Sequence, residues 1–99
     1  MTRPVFHPGA RIEIEEARKW YENRAVGLGD RFVRAVDAAV TAALRTPNAH
    51  VRISGEARRV MVRRFPYSIV YVPVDGDLLI ISCFHHKRRP DSWATRLNR

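Results

Sequence analysis

The stretch RRVMVRRFPYSIVYVPVDGDLLIISCFHHKRRP, residues 58–90, decides the fold. Val, Ile, Tyr and Phe dominate it, and turn-forming residues divide it into three runs, Arg58 to Arg64, Tyr67 to Val72 and Asp77 to His85. Such residues suit pleated strands. Pro66 interrupts the first junction, and Asp75-Gly76 marks the second as a tight hairpin, because that pair accepts the positive φ angles a primed turn requires. A three-strand antiparallel meander is predicted. Its last strand, Leu78 to His85, is apolar on both sides, as expected of a central strand covered on each face by helices, a tail or a partner.

Upstream the period changes to that of helices. From Gly9 to about Arg24 the apolar residues Ala10, Ile14, Ala17, Trp20 and Tyr21 recur at helical spacing, with Glu13, Glu15 and Glu16 favouring the N-terminal end. A second helix from about Leu28 to Arg45 carries Leu28, Phe32, Val36, Val40 and Leu44 four apart, and Pro47 ends it. The short Ala25-Val26-Gly27 link makes the two an antiparallel hairpin. Thr2 to Phe6 reads as a short extended edge segment, 48–55 as a loop, and Pro90 to Arg99 as a tail or short helix capped by Asp91 or Ser92. The hairpin must bury its apolar stripes on one sheet face, which predicts a two-layer α+β domain.

The chain has 99 residues, 18 of them Lys or Arg and 10 Asp or Glu, for a formal charge of +8. That length predicts one domain over 1–99. Cys83 is the sole cysteine, so no internal disulfide can form, and its apolar surroundings predict an inert buried thiol in a reduced, cytoplasmic setting. No apolar run approaches the ~20 residues that span a bilayer, so neither a membrane segment nor a membrane partner is expected. Residues 1–50 carry 8 basic and 6 acidic groups and residues 51–99 carry 10 and 4, so the basic surface belongs mainly to the second half. Guanidinium forks in Arg58-Arg59, Arg63-Arg64 and Lys87-Arg88-Arg89 suit a polyanion such as nucleic acid, while an acidic protein partner or a merely solvated surface accounts for the same charge.

Trp20-Tyr21, Phe32, Pro47, Arg63-Arg64-Phe65-Pro66-Tyr67-Ser68-Ile69-Val70-Tyr71 and His85-His86-Lys87-Arg88-Arg89-Pro90, followed by Trp93 and Arg96, come in an order and spacing that resembles the RelE/ParE superfamily of small toxins from type II toxin-antitoxin modules. The resemblance covers nearly the whole chain. It implies an N-terminal strand, an antiparallel helix hairpin packed on one face of a mostly antiparallel sheet, a short C-terminal tail or helix, and a cognate antitoxin as partner. It also implies one of two unrelated activities, cleavage of messenger RNA on the ribosome or poisoning of DNA gyrase. A non-catalytic, RNA-binding toxin that keeps only antitoxin binding is a third reading.

RNA cleavage needs a base for the ribose 2′-hydroxyl and positive charge against the phosphorane, and it needs no metal or other cofactor. His85 and His86 are the groups that exchange protons near neutral pH, and strand alternation lets only one of them point into a given site. The resemblance favours His86, which matches the terminal-strand His of some ribonuclease members when the last strands are aligned. The catalytic candidates are therefore His86, Arg63, Arg89 and Lys87; Arg58, Arg59, Arg64, Arg88 and Trp93 are candidates for holding nucleic acid. Against this stands the bland reading of both histidines as strand-end surface residues. Glu56 is a candidate base or a plain turn acid. Tyr67 and Tyr71 are expected in the core, and Trp93 either clamps a partner or packs on the first helix. Ribonuclease relatives carry Arg where this chain has Ser68, and one subgroup carries Tyr where it has Lys87. No metal-ligand spacing links His7, His50, Cys83 and the His85-His86 pair.

Overall fold

The computed structural model describes residues 3–88 and 93–97. Strand β1 (Pro4–Phe6), helix α1 (Pro8–Arg24), helix α2 (Leu28–Arg45) and strands β2 (Val51–Ser54), β3 (Ala57–Val62), β4 (Tyr67–Val74) and β5 (Asp77–His85) follow in chain order, and a single 3-10 turn (Ala94–Leu97) ends the described chain. The strands form one sheet ordered β1-β5-β4-β3-β2, antiparallel throughout except where β1 runs parallel to β5 at the edge. This is the expected two-layer α+β arrangement, with one more strand: Val51–Ser54, read from sequence as loop, pairs with β3 and makes the meander four-stranded.

Helix α1 starts on His7, whose Nδ1 accepts the Gly9 N–H at 2.9 Å. No acid lies in its first turn, so this cap replaces the expected carboxylates. Between the helices, Glu22 accepts the Gly27 and Gly29 N–H groups, which hold its carboxyl below the usual range. A Cβ at Gly29 would lie 2.8 Å from the Arg18 carbonyl, so only glycine lets α2 approach α1 there. Phe32 is fully buried, stacks on Tyr21 and meets Phe65 and Tyr67 edge-on. With Val36, Val40, Val60, Ile69, Tyr71 and Ile80 it builds the core between hairpin and sheet. The Tyr71 hydroxyl donates to the Pro47 carbonyl at 2.8 Å, tying the end of α2 to the sheet.

The register of β5 shifts between Val70↔Ser82 and Tyr71↔Ile80, leaving Ile81 as an extra residue. A bulge of one residue reverses which face later side chains take. Leu78 and Ile80 face the helices before it, and Cys83 faces them after it, while Ile81 and Phe84 join the opposite face. That second face is covered by the chain's own tail: Trp93, Ala94 and Leu97 lie against Val70, Ile81 and Phe84. Asp75 and Gly76 both have positive φ, as the hairpin turn demands.

Candidate functional site

One end of the sheet gathers most of the candidate residues. The turn 63–66 after β3 and the segment 86–88 after β5 meet there, because β3 and β5 flank β4 antiparallel to it and the His86 N–H donates to the Pro66 carbonyl at 2.8 Å. Arg63, Arg64, His86, Lys87 and Arg88 are all exposed at this end. Arg64 holds φ at 71°, in the left-handed region.

The two histidines point opposite ways, as strand alternation requires. His85 lies edge-on to Tyr67 on the helix side, and its Nδ1 accepts the Lys87 N–H at 3.0 Å. Burial, then the neighbouring His86, Lys87 and Arg88 charges, hold its imidazole below the ordinary value. His86 turns to the second face, where its Nε2 meets the Ser68 hydroxyl at 2.8 Å. Ser68 has 0% exposure, so a buried hydroxyl anchors an exposed imidazole by one nitrogen. The hydroxyl can accept from Nε2–H or donate to a bare Nε2, so the contact fixes the ring's position in either tautomer; where it accepts from Nε2–H in the neutral ring, Nδ1 is the bare nitrogen. Ser68 thus supplies a positioning contact rather than a charge.

The other candidates divide. Arg63 and Arg64 line a groove of about 690 Å³ beside α2, together with Leu28, Arg31, Arg34, Ala35 and Phe65. Lys87 and Arg88 line another of about 580 Å³ beside α1, with Glu13, Glu16, Trp20 and His85. His86 lines neither groove, because its ring lies on the second face while both grooves open on the helix side, and Arg89 lies outside the described residues, as do the proposed helix caps Asp91 and Ser92. Arg58 is half-buried, spent on the His50 carbonyl at 2.8 Å. Arg59 is exposed on the second face near the other end of β3. Glu56, in the turn before β3, is also at that opposite end, ~20 Å away by strand rise, which removes it as a base for His86. Trp93 is 5% exposed and tilted against Phe84, so its ring is taken up by the sheet's second face rather than by α1. Tyr67 and Tyr71 belong to the core as expected.

Sequence reading missed two sets of residues. The sequence does not single out Arg31 and Arg34, whose one signal is a spacing of three that puts them near each other on α2. Glu13 reads as an acid of the helix start and Arg96 as part of the resemblance, but neither signal announces their pairing: Glu13 Oε1 accepts from Arg96 Nη1 at 2.9 Å, from the Ser82 hydroxyl at 2.8 Å and from the Cys83 N–H at 3.0 Å. Arg96 also donates to the Ile81 carbonyl and lies on Gly9, where a Cβ would stand 2.5 Å from its guanidinium carbon. This buried cluster seals the edge of β5 beyond the short β1 and pins the tail. Among the described residues, no three of His, Cys, Asp and Glu come together as metal ligands, and no helix is long and apolar enough to cross a membrane.

The fold is shared with a solved structure. A solved structure described as the chromosomal ParDE TA system from P. aeruginosa superposes with a TM-score of 0.61 over 86% of this chain and 95% of that one, at 12% sequence identity. By sequence, no family model and no curated protein matches the chain.

Proposed function

We propose that this chain is the toxin of a type II toxin-antitoxin pair, held inactive by a cognate antitoxin, and that it stops translation by cutting messenger RNA on the ribosome. The toxin reading draws support from the fold shared with a ParDE structure. The cleavage reading rests on one observation, the exposed His86 held through Nε2 on the buried Ser68 hydroxyl at an arginine-rich sheet end. In this mechanism His86 Nδ1 takes the 2′-hydroxyl proton. The 2′-oxygen then bonds to phosphorus as the bond to the 5′-oxygen breaks, leaving a 2′,3′-cyclic phosphate and a 5′-hydroxyl that draws its proton from water. Arg63 and Lys87 offset the extra negative charge of the phosphorane, a role in which a guanidinium's permanent charge helps and its weakness as a base does no harm.

Poisoning of DNA gyrase is the second reading. It is favoured by the particular neighbour, a ParDE system, and by Ser68 standing where ribonuclease relatives carry arginine. Induced expression without antitoxin separates the two: RNA ends mapped within ribosome-bound codons support cleavage, and broken chromosomal DNA with intact messages supports gyrase. Neither outcome, in cells that make folded protein, defeats both. Co-expression with a small acidic protein encoded next to the gene should give a complex at low salt; its absence counts against the module itself.

A further inference from the structure

On helix α2, Asp30 acts on Arg18 of α1, and Asp37 lines the outer groove between the helices with Arg11 and Arg18. Arg31 and Arg34 share a second groove with Arg63 and Arg64; Arg34 also follows Asp30 by four positions and precedes Asp37 by three, whereas Arg31, Arg63 and Arg64 have no acid within their groove. The groove these four arginines share contains no carboxylate, and its floor is apolar, from Leu28, Ala35 and Phe65. The two ion pairs among the described residues, Glu15–Arg18 and Glu13–Arg96, use none of the four. Like charges gathered around one groove make its potential positive, which favours an anionic ligand there.

Arg64 supplies a second, independent sign. Its φ of 71° is one that glycine adopts freely and that costs a side chain. The turn therefore carries local strain where a glycine would carry none, and what it keeps in exchange is a guanidinium on the groove.

We infer that the groove between α2 and the β3–β4 turn binds the phosphodiester backbone of single-stranded RNA, with Arg31, Arg34, Arg63 and Arg64 each facing a phosphate. The inference rests on the cleavage reading: the same turn continues to Pro66, whose carbonyl accepts the His86 backbone N–H, and a strand held in the groove on the helix side would cross this sheet end to reach the imidazole on the second face. An arginine fork matches two phosphate oxygens at once, and an apolar floor with a half-buried phenylalanine suits sugars and bases better than it suits a chain of carboxylates.

Binding of a labelled oligouridylate, followed by anisotropy across a salt series, tests this without any cleavage step. Each phosphate contact contributes about 0.7 to the slope of log affinity against log salt for a single strand. Arg31→Ala/Arg34→Ala should lower that slope by roughly 1.4 while the circular dichroism spectrum stays that of the parent. Arg64→Gly should lose one contact yet melt at a higher temperature. His86→Gln should keep the full slope even if it abolishes cleavage, so failure of the groove and failure of the catalytic reading are told apart. Unchanged affinity and slope in the folded double variant would overturn the assignment. So would an oligoglutamate that binds more tightly than the RNA and is lost with the same arginines, which would give the groove to an acidic protein segment.

Discussion

Two groups of arginines in this small protein have opposite fates. Arg96 is paired within the fold: its guanidinium lies on Gly9, donates to Glu13 and to the Ile81 carbonyl, and is largely shielded from water. Arg63, Arg64, Arg31 and Arg34 stand exposed around one groove with no carboxylate in its lining. The first arrangement costs desolvation and returns a fixed tail and a sealed strand edge; the second gives up local strain and repulsion and returns nothing to folding. A charge satisfied by its own chain belongs to the structure, and a charge kept unsatisfied is kept for a ligand.

The apolar core sets the scale against which both groups are judged. Phe32→Ala should destabilise the protein by about 3–5 kcal/mol, since the fully buried ring touches both helices' side of the sheet. Chemical denaturation would show it as a lower midpoint, and an unchanged midpoint would mean the stacking around Tyr21 and Phe65 carries no weight.

Breaking the internal pair comes next. Glu13→Ala strands the Arg96 guanidinium, the Ser82 hydroxyl and the Cys83 N–H together, and should cost about 3 kcal/mol. Replacing both partners with apolar residues, Glu13→Leu with Arg96→Met, should cost less than the sum of the single changes, because no charge is left buried alone. A purely additive double-mutant cycle would place Arg96 among the solvated arginines and erase the contrast drawn above.

The exposed group should behave in the opposite way. Arg31→Ala, Arg34→Ala and Arg63→Ala should each change stability by no more than about 0.5 kcal/mol, the ordinary range for surface positions. A loss of several times that would make them structural.

The titrating groups give the smallest effects. His85 is held below the ordinary value of 6.5, so the folded chain resists its proton more than the unfolded chain does. Stability is highest above pH 6.5 and is lost in small measure as pH falls from there through the lower folded value, which a melting series checks against His85→Gln. At the other extreme, burial and the nearby Glu13 charge push the Cys83 thiol up to about 12, so a thiol reagent at mildly alkaline pH should modify it only as fast as the protein opens.

Much of the scaffold was legible in the sequence because its signals are local. The four-residue spacing in α2, Asp75-Gly76 and Pro47 each specify their own stretch of backbone, and the observed elements follow them. Strand β2 was hidden because Val51–Ser54 is short, mostly exposed and bounded by turn residues, so it lacks the alternation that marks a half-buried strand. The site was harder to read for a reason of phase. Leu78 to Phe84 is apolar at nearly every position, so nothing in its pattern announces the extra residue at Ile81, and that residue decides that His86 turns to Ser68 rather than to the helices. The Glu13–Arg96 cluster joins residues 83 positions apart, a separation no periodicity reaches.

The central claim is that the basic sheet end works through His86, with Nε2 held by Ser68 and Nδ1 exchanging the proton. Cleavage of ribosome-bound message by wild-type and His86→Gln protein, each shown to be folded by its melting curve, tests it most directly. The account predicts a loss of roughly 10²-fold or more in cleavage rate with little change in melting temperature, and an intermediate loss in Ser68→Ala that Ser68→Thr restores. Full cleavage, or full toxicity with broken DNA and intact RNA, in the folded His86→Gln protein would contradict it.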